Sequence, residues 1–234
     1  YRIADPKLFH TEISGTRESY PVGDLEGQLR GMVLQNISNA IAGSGLPFLD
    51  LAANQVMFAD ALAQQVKHLN ADIVQIDEAN LPGHPEEWEW AASAINRMLD
   101  AVPGTPAVHL CFGNYGGQSV QKGTWDQLMN YLNALHADHI VMECAHRPPE
   151  ELAAFKDLKP EIGFGLGVVD IKATDVESAD QVARAIERAE KVLGAGRVRY
   201  IHPDCGFWML KRSIADAKMR ALALGRDRFE GIAA

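Results

Sequence analysis

The sequence predicts an α/β fold, a (β/α)8 barrel of the TIM type, and two observations lead to that prediction. From about residue 53, helical segments alternate with short apolar strands, the pattern of a parallel sheet buried on both faces. Five consecutive predicted strands also end in ionisable or metal-binding side chains, at steps close to the roughly 30 residues of one barrel unit. A doubly wound sheet fits the alternation too, but it would concentrate its polar residues near one switch point. The spacing therefore favours the barrel.

Five segments are predicted as strands because they are short, apolar and rich in strand-forming residues. They lie at residues 71–77, 106–112, 138–144, 162–171 and 198–204. The fourth is interrupted by glycines but keeps its strand-like apolar character.

Six segments are predicted as helices, chiefly because their apolar residues recur at helical spacing. They lie at residues 55–69, 86–102, 124–135, 148–155, 178–194 and 211–225. Thr124 and Ser178 are suitable N-cap residues, and we expect Gly194 and Gly225 to end their helices.

Residues 1–52 match the barrel pattern poorly. We expect a loop over residues 14–27 and a helix over residues 27–43. Three further barrel units would need roughly 90 residues, so the barrel is expected to be incomplete or to lack N-terminal units in this chain. We expect one barrel domain over residues 1–234, with the β/α units in residues 53–225.

Composition argues against several classes of function. The chain has 234 residues, a formal net charge of -9, 47% hydrophobic and 23% charged residues, as expected of a globular protein. The negative charge disfavours binding to nucleic acid or to an anionic membrane, and no apolar run reaches the roughly 20 residues of a membrane span. The start of the chain shows no signal peptide, and three cysteines are too few for a disulfide framework. We therefore expect a cytoplasmic protein with free thiols.

Polar side chains at the predicted strand ends define the candidate site. They are Asp77, His109, Cys111, Glu143, Asp170, Lys172, Asp204 and Cys205. Residues two apart on a strand point to one face, so His109 and Cys111 can approach the same metal ion. One imidazole, two thiolates and one carboxylate form a donor set suited to Zn²⁺.

Each of these residues also has an ordinary structural interpretation. Cysteine is among the most buried residue types, so Cys111 and Cys205 also fit a role as core residues, and that role is expected for Cys144. Five other histidines are expected to be ordinary core or surface residues: His68, His84, His136, His139 and His146. Glu143 follows an apolar strand, and a buried carboxylate is costly unless a metal or a cation pairs with it.

Five stretches together resemble the cobalamin-independent methionine synthases and their short relatives. They are IVQIDEA (73–79), HLCFGN (109–114), VMECAHR (141–147), GLGVVDIKATDVES (165–178) and HPDCGFWMLKRSIADAKMRAL (202–222). The resemblance implies a (β/α)8 barrel with a catalytic zinc, whose ligands match His109, Cys111, Glu143 and Cys205. It also implies that Asp77 contacts the amino-acid substrate. We further expect Asn114 to bind substrate and Trp208 to stack on a flat methyl donor or to close the barrel rim.

The resemblance implies methyl transfer to the thiol of homocysteine, giving methionine without bound cobalamin. Zinc would hold the homocysteine thiol as a thiolate, and Asp170 or Lys172 would assist at the donor side. The long enzymes of this family have a histidine where this chain has Lys172, and the short relatives often have lysine. The partners expected are homocysteine and a methyl donor, methyl-folate or another, with a homodimer or an accessory protein as a further expectation.

Three other functions are compatible with parts of this pattern. Short relatives also transfer alkyl groups to other thiols such as coenzyme M, a sulfonate that requires cations in its pocket. A zinc-holding barrel without catalysis, acting as a binding or methyl-carrier partner, is the second. A zinc hydrolase is the third, and two thiolate ligands disfavour it because they make the zinc less acidifying.

Overall fold

A computed structural model of the chain describes residues 5–14, 19–25, 27, 31, 55–68, 71–114, 117–207 and 210–232. It forms two compact units, residues 1–65 and residues 66–234. The division lies near the end of the poorly matched N-terminal part, and the second unit contains the predicted strands. The expectation of a single domain over the whole chain stays a prediction.

The described part of the first unit is largely helical, and residues 22–25 are helical where a loop was predicted over residues 14–27. Helix α1 (Pro6–Phe9) is capped by Asp5, whose side chain accepts hydrogen bonds from the backbone amides of Lys7 and Leu8. The helix continues into a π-helical turn (His10–Ser14). Helix α2 (Gln55–Val66) is three residues shorter than the helix predicted over residues 55–69. Most of the helix predicted over residues 27–43 lies outside the described residues.

The second unit is organised around a sheet of five parallel strands. They are β1 (Ile73–Glu78), β2 (Thr105–Leu110), β3 (His139–Met142), β4 (Gly163–Val169) and β5 (Val198–Pro203). Their spatial order in the sheet is the order of the chain, β1 to β5. Each strand therefore lies beside the next, as in a segment of a barrel and unlike a doubly wound sheet, whose order reverses.

Four α-helices lie between or after the strands in the described part of this unit. They are α3 (Trp88–Leu99), α4 (Met129–Ala134), α5 (Ala179–Leu193) and α6 (Arg212–Phe229). Shorter 3₁₀ helices lie at Leu81–Gly83, Pro85–Glu87, Trp125–Leu128 and Pro149–Asp157, so the segment predicted as a helix over 148–155 is 3₁₀. In the described part of the chain, no helix combines the length and the apolar character that crossing a membrane requires.

Of the four residues predicted to cap or end helices, two are confirmed and two are wrong. Ser178 caps α5 through a full capping box with Gln181, and Gly194 follows its last residue with a positive φ of 108°. Thr124 precedes a 3₁₀ turn but makes no side-chain capping bond. Gly225 does not end α6: a Cβ there would lie 2.4 Å from Val182 Cβ, so this glycine instead allows α5 and α6 to pack closely.

The two faces of the sheet differ in composition. Every second strand residue joins the apolar core shared with α3 and α5, as Val108, Leu110, Ile140 and Phe164 do. The alternate residues face the other way and include polar side chains and glycines. That polar face carries the candidate site.

Glycines on β4 leave room on the polar face. Gly165 and Gly167 occupy alternate positions there, opposite Tyr200 and His202 of β5. A Cβ at Gly165 would lie 3.2 Å from His202 Nε2, and one at Gly167 would lie 2.0 Å from Asp204 Oδ1. The glycines noted in the sequence therefore make space for the side chains at and beyond the end of β5.

Candidate metal centre

Three predicted ligands come together on the polar face of the sheet. One ligand atom each from His109, Cys111 and Cys205 lie within 4.8 Å of one another. His109 belongs to β2, Cys111 follows that strand, and Cys205 follows β5. Two strands separate β2 from β5, so in a flat sheet their ends would lie about 14 Å apart. The sheet must therefore curve strongly, as a barrel wall does.

The chemistry of these three side chains fits a zinc ion. His109 and Cys111 are buried, Cys205 is partly buried, and all three cysteines of the chain are free thiols. The Nε2 atom of His109 is buried and has no hydrogen-bond partner in the described structure. A buried polar atom without a partner is costly, and a metal ion would satisfy it. Two sulfurs and one imidazole are donors that zinc accepts in tetrahedral sites.

The electrostatics of the three groups favour one shared negative charge. The neighbouring Cys111 and His109 side chains lower the pKa of Cys205, against the effect of burial. The Cys205 sulfur in turn raises the pKa of Cys111, and burial adds to the increase. For His109, burial lowers the pKa but the neighbouring Cys205 outweighs it, so the net shift is upward. The arrangement is therefore ready to bind a cation.

Glu143, the fourth predicted ligand, lies next to this group but has other partners. Its side chain is fully buried, and Oε1 accepts a hydrogen bond from Lys172 Nζ at 2.8 Å. Oε2 accepts one from the backbone amide of Phe112 at 2.9 Å. The sequence required a metal or a cation beside this carboxylate, and Lys172 supplies the cation. Only 1% of the Lys172 side chain is exposed, so the pair is closed to solvent.

Two predicted substrate-binding residues border the three donors. Asp77 is paired with His109 in the register of β1 and β2, and its carboxylate is exposed. Gln75 Nε2 donates to Asp77 Oδ1 at 2.7 Å and orients it. Asn114 is 8% exposed, and neither polar atom of its side-chain amide has a hydrogen-bond partner in the described structure. An unpartnered buried amide is a feature that a bound polar ligand would explain.

Asp170 lies at the end of β4 and fixes the loop that carries Lys172. Its Oδ1 accepts the backbone amide of Lys172 at 2.7 Å, and its Oδ2 lies 3.0 Å from His146 Nδ1. Burial raises the pKa of Asp170, but the bonds from His146 and Lys172 prevail and lower it. Asp170 thus stays ionised and acts on Lys172 through its backbone.

Comparison with known proteins identifies the family. The family described as Cobalamin-independent synthase, Catalytic domain, matches residues 47–224 of the 234. The chain belongs to this family. The match includes every strand of the sheet and all three members of the His109, Cys111 and Cys205 group.

Curated relatives in this synthase family are archaeal methionine synthases. The chain is 34% identical to the enzyme of Thermococcus kodakarensis over 156 residues, which are 66% of this chain and 43% of that protein. It is 32% identical to the enzyme of Pyrococcus furiosus over 165 residues, 69% of this chain and 45% of that protein. The chain therefore spans less than half the length of these relatives.

Solved structures confirm the fold of the synthase domain. A B12-independent methionine synthase from Shewanella sp. W3-18-1, in complex with selenomethionine, is similar with a TM-score of 0.63 at 25% identity over 75% of this chain and 54% of that one. A methyltransferase from Methanosarcina mazei shares the fold with a TM-score of 0.52 at 16% identity, over 85% of this chain and 54% of that one. The α/β barrel prediction is confirmed, with five strands of the barrel in the described part of the chain.

Sequence reasoning missed several residues that organise the synthase site. Asp204 was noted only as a strand-end residue, yet it is fully buried and bonds three consecutive backbone amides after Glu143. Lys218 on α6 has a fully buried side chain and donates to Glu177, whose Oε1 also accepts the backbone amide of Asp170. The position of Asp204 next to Cys205 was the signal that could have identified it. For Lys218, the signal was a lysine on the apolar face of a predicted helix.

The histidines predicted to be ordinary core or surface residues include one exception. His84 and His136 are exposed, and His139 is buried against Asp138 and Tyr200, as expected of ordinary residues. His146 was placed in the same class, but it contacts the candidate site through Asp170. Trp208 lies outside the described residues, so its stacking role stays a prediction.

Proposed function

We propose that this chain carries the catalytic domain of a cobalamin-independent methionine synthase, which transfers a methyl group to the thiol of homocysteine. The observation that supports this most strongly is the convergence of His109, Cys111 and Cys205 within 4.8 Å from separate strand ends. The proposed resident metal is zinc, held by these three side chains with Glu143 as a fourth ligand. When bound, zinc would lower the pKa of the substrate thiol so that it is a thiolate near neutral pH.

The protein's own residues would orient homocysteine beside the three donors. Asp77 lies next to His109 in the sheet register and offers an exposed carboxylate for the substrate ammonium group. Asn114 offers buried amide groups without partners for the polar end of the amino acid. The solved synthase from Shewanella holds selenomethionine, an analogue of methionine, and this supports an amino-acid ligand here.

Glu143 is the proposed exchangeable ligand. Its carboxylate already has two partners, Lys172 Nζ and the backbone amide of Phe112. A catalytic zinc site keeps one position for substrate, and a carboxylate is the hardest of the four donors, the least matched to zinc with two sulfurs. The ammonium of Lys172 would neutralise Glu143 whenever the carboxylate is not a ligand, without exposing a buried charge.

Lys172 and Asp170 are the proposed groups on the donor side. Lys172 is the cation nearest Glu143, and Asp170 holds its backbone in place. Lys172 would either stabilise the negative charge of the leaving group or protonate it, depending on the chemistry of the methyl donor. The methyl donor, the cytoplasmic location and a homodimer or accessory partner stay predictions.

A different thiol acceptor is the second candidate, and one observation separates it from homocysteine. Coenzyme M carries a sulfonate, which requires cations near the metal. The group bordering His109 in the register is instead the carboxylate of Asp77, which suits an ammonium. Homocysteine is therefore the better match, and the coenzyme M reaction becomes one arm of the test.

The test is product formation by the full chain loaded with zinc. The protein would be incubated with homocysteine or coenzyme M and a panel of methyl donors, including methyl-folates, and thiol products would be detected by mass. We expect methionine from homocysteine with one donor of the panel, no product with Cys205→Ser, and normal turnover with the matched control Cys144→Ser. A zinc-bound protein that methylates neither thiol with any donor would contradict the proposal and support a non-catalytic zinc-holding domain.

A further inference from the structure

Asp204 makes a set of contacts that the proposed chemistry does not use. Its side chain is fully buried directly before Cys205. Oδ1 accepts hydrogen bonds from the backbone amides of Cys144 at 2.9 Å and Ala145 at 2.8 Å, and Oδ2 accepts one from His146 at 2.7 Å. One carboxylate therefore binds three consecutive amides of the loop that begins after Glu143.

These contacts join two candidate ligands that lie 62 positions apart in the sequence. The backbone amide of Asp204 also donates to the carbonyl of Val169 at 2.9 Å, so the residue is fixed to β4 as well. Gly167 on β4 provides the space, since a Cβ there would lie 2.0 Å from Asp204 Oδ1. The ends of β3, β4 and β5 are thus joined through one residue, Asp204, beside the metal centre.

We propose that Asp204 is a positioning residue that holds Cys205 and Glu143 at a fixed separation and so preorganises the metal centre. The inference rests on the proposed function, because it assumes that these side chains serve one metal. Three hydrogen bonds from consecutive backbone amides hold the loop against one side chain, and a ligand whose backbone cannot move loses little freedom on binding. The carboxylate acts through the backbone on both sides and is not a member of the His109, Cys111 and Cys205 group.

A second carboxylate, Glu190 on α5, binds backbone amides at the start of β5 and provides a matched control. Glu190 accepts hydrogen bonds from the backbone amides of Gly196 and Val198, at the opposite end of β5 from Cys205. It closes the turn that leads into the strand and is remote from the metal centre. Asp204→Asn and Glu190→Gln each replace a carboxylate by an amide of the same shape, but only the first should affect the metal ligands.

The experiment measures metal binding by the full chain and its two variants. Zn²⁺ affinity would be obtained by competition with a chromophoric chelator, and Co²⁺ would report ligand geometry through its thiolate charge-transfer and d–d absorption. In Asp204→Asn the amide NH₂ would face a backbone N–H, so we expect a 10- to 100-fold weaker affinity, the range found for residues that support metal ligands, and a changed Co²⁺ spectrum. Glu190→Gln should match wild type in both.

The outcomes separate this inference from the proposed function. Wild-type protein that binds no zinc would overturn the proposed function itself, and the role of Asp204 with it. Wild-type binding that Asp204→Asn retains within twofold, with an unchanged Co²⁺ spectrum, would overturn only the role of Asp204. An equal loss in Glu190→Gln would also overturn it, because the effect would then be general destabilisation.

A second variant covers the case in which Asp204→Asn does not fold. Gly167→Ala introduces a methyl group 2.0 Å from Asp204 Oδ1, and also 2.7 Å from the backbone carbonyl of Met142, without changing any hydrogen-bonding group. We expect it to shift the Co²⁺ spectrum and weaken zinc binding in the same direction. A folded Gly167→Ala protein with wild-type affinity and spectrum would overturn the inference.

Discussion

Four of the five strand ends of the sheet form two pairs with opposite chemistry. At the ends of β2 and β5, ligand atoms of His109, Cys111 and Cys205 lie within 4.8 Å of one another, and Nε2 of His109 has no hydrogen-bond partner in the described structure. Beyond β3 and β4, Glu143 and Lys172 form a closed ion pair. The first pair of strand ends is an unsaturated donor set, and the second is a saturated polar network.

The difference indicates that the first group of side chains binds a ligand and that the second group supports the surrounding structure. Donors without partners are costly in a folded protein and are kept where a ligand completes them. Fully paired buried groups add rigidity and fix neighbouring loops. We expect changes in the donor set to abolish metal binding at little cost in stability. We expect loss of Lys172, the cation of the network, to lower stability much more and metal binding much less.

The largest effect is expected for Cys205→Ser. Structural zinc binds with about 10–16 kcal/mol, so loss of one thiolate should weaken zinc affinity at least about 1,000-fold, about 4 kcal/mol. The free energy of unfolding of the metal-free protein should change by no more than about 1 kcal/mol. Chelator competition and urea denaturation measure the two quantities, with Cys144→Ser as the control. Retention of one tightly bound zinc would break the comparison.

The next effect is expected for Lys172→Met, which leaves the Glu143 carboxylate buried without its cation. Removing one partner of a buried pair costs about 3–5 kcal/mol in the free energy of unfolding. The double variant Glu143→Gln with Lys172→Met should recover much of this loss because no unpaired charge remains. Urea denaturation of the metal-free proteins provides the measurement.

A surface ion pair serves as the control for that experiment. Arg212 and Asp216 form an exposed i,i+4 pair on α6, so Arg212→Met should cost about 0.5 kcal/mol or less. If Lys172→Met costs no more than Arg212→Met, the Glu143–Lys172 pair is not the closed support described here.

The smallest effect is expected for His146→Ala, which tests the edge of the network through pH. The pKa of Asp170 is lowered in the folded protein, although burial opposes the shift, so ionised Asp170 adds stability above its unfolded pKa. That stability is lost as pH falls through the lowered pKa. In His146→Ala the loss should begin at higher pH, with a difference below about 1 kcal/mol because His146 is partly exposed.

The control for the pH experiment is His136→Ala. This variant removes an exposed contact with Asp100, the residue that directly follows α3. The acid limb of its stability curve should follow wild type. Identical acid limbs for wild type and His146→Ala would show that the contact with Asp170 does not support the network.

The sequence predicted the elements of the second unit well because each carries its own hydrophobic period. All five strands and the α helices that separate them lie within a few residues of their predicted bounds. The spacing of His109 and Cys111 also placed both on one face, since alternate strand residues share a side. Gly225 was misread because a glycine that ends a helix and one that admits a neighbouring helix look alike in a single sequence.

The contacts across the sheet could not be predicted in the same way. Whether Cys205 reaches Cys111 depends on how strongly the sheet curves, and the sequence shows this only through glycines such as Gly165 and Gly167. The partner of Glu143 depends on the path of the loop that carries Lys172, which has no periodic pattern. The need for some partner was predictable from burial, but the choice between a cation and a metal was not.

X-ray absorption at the zinc edge of the zinc-loaded full chain is the most direct test of the central claim, that His109, Cys111 and Cys205 bind one metal. We predict one zinc per chain, with two sulfur neighbours at about 2.3 Å and the remainder nitrogen or oxygen at about 2.0–2.1 Å. Loss of one sulfur neighbour in Cys111→Ser would assign the second thiolate. A wild-type spectrum without sulfur neighbours, or a chain that binds no zinc, would contradict the account.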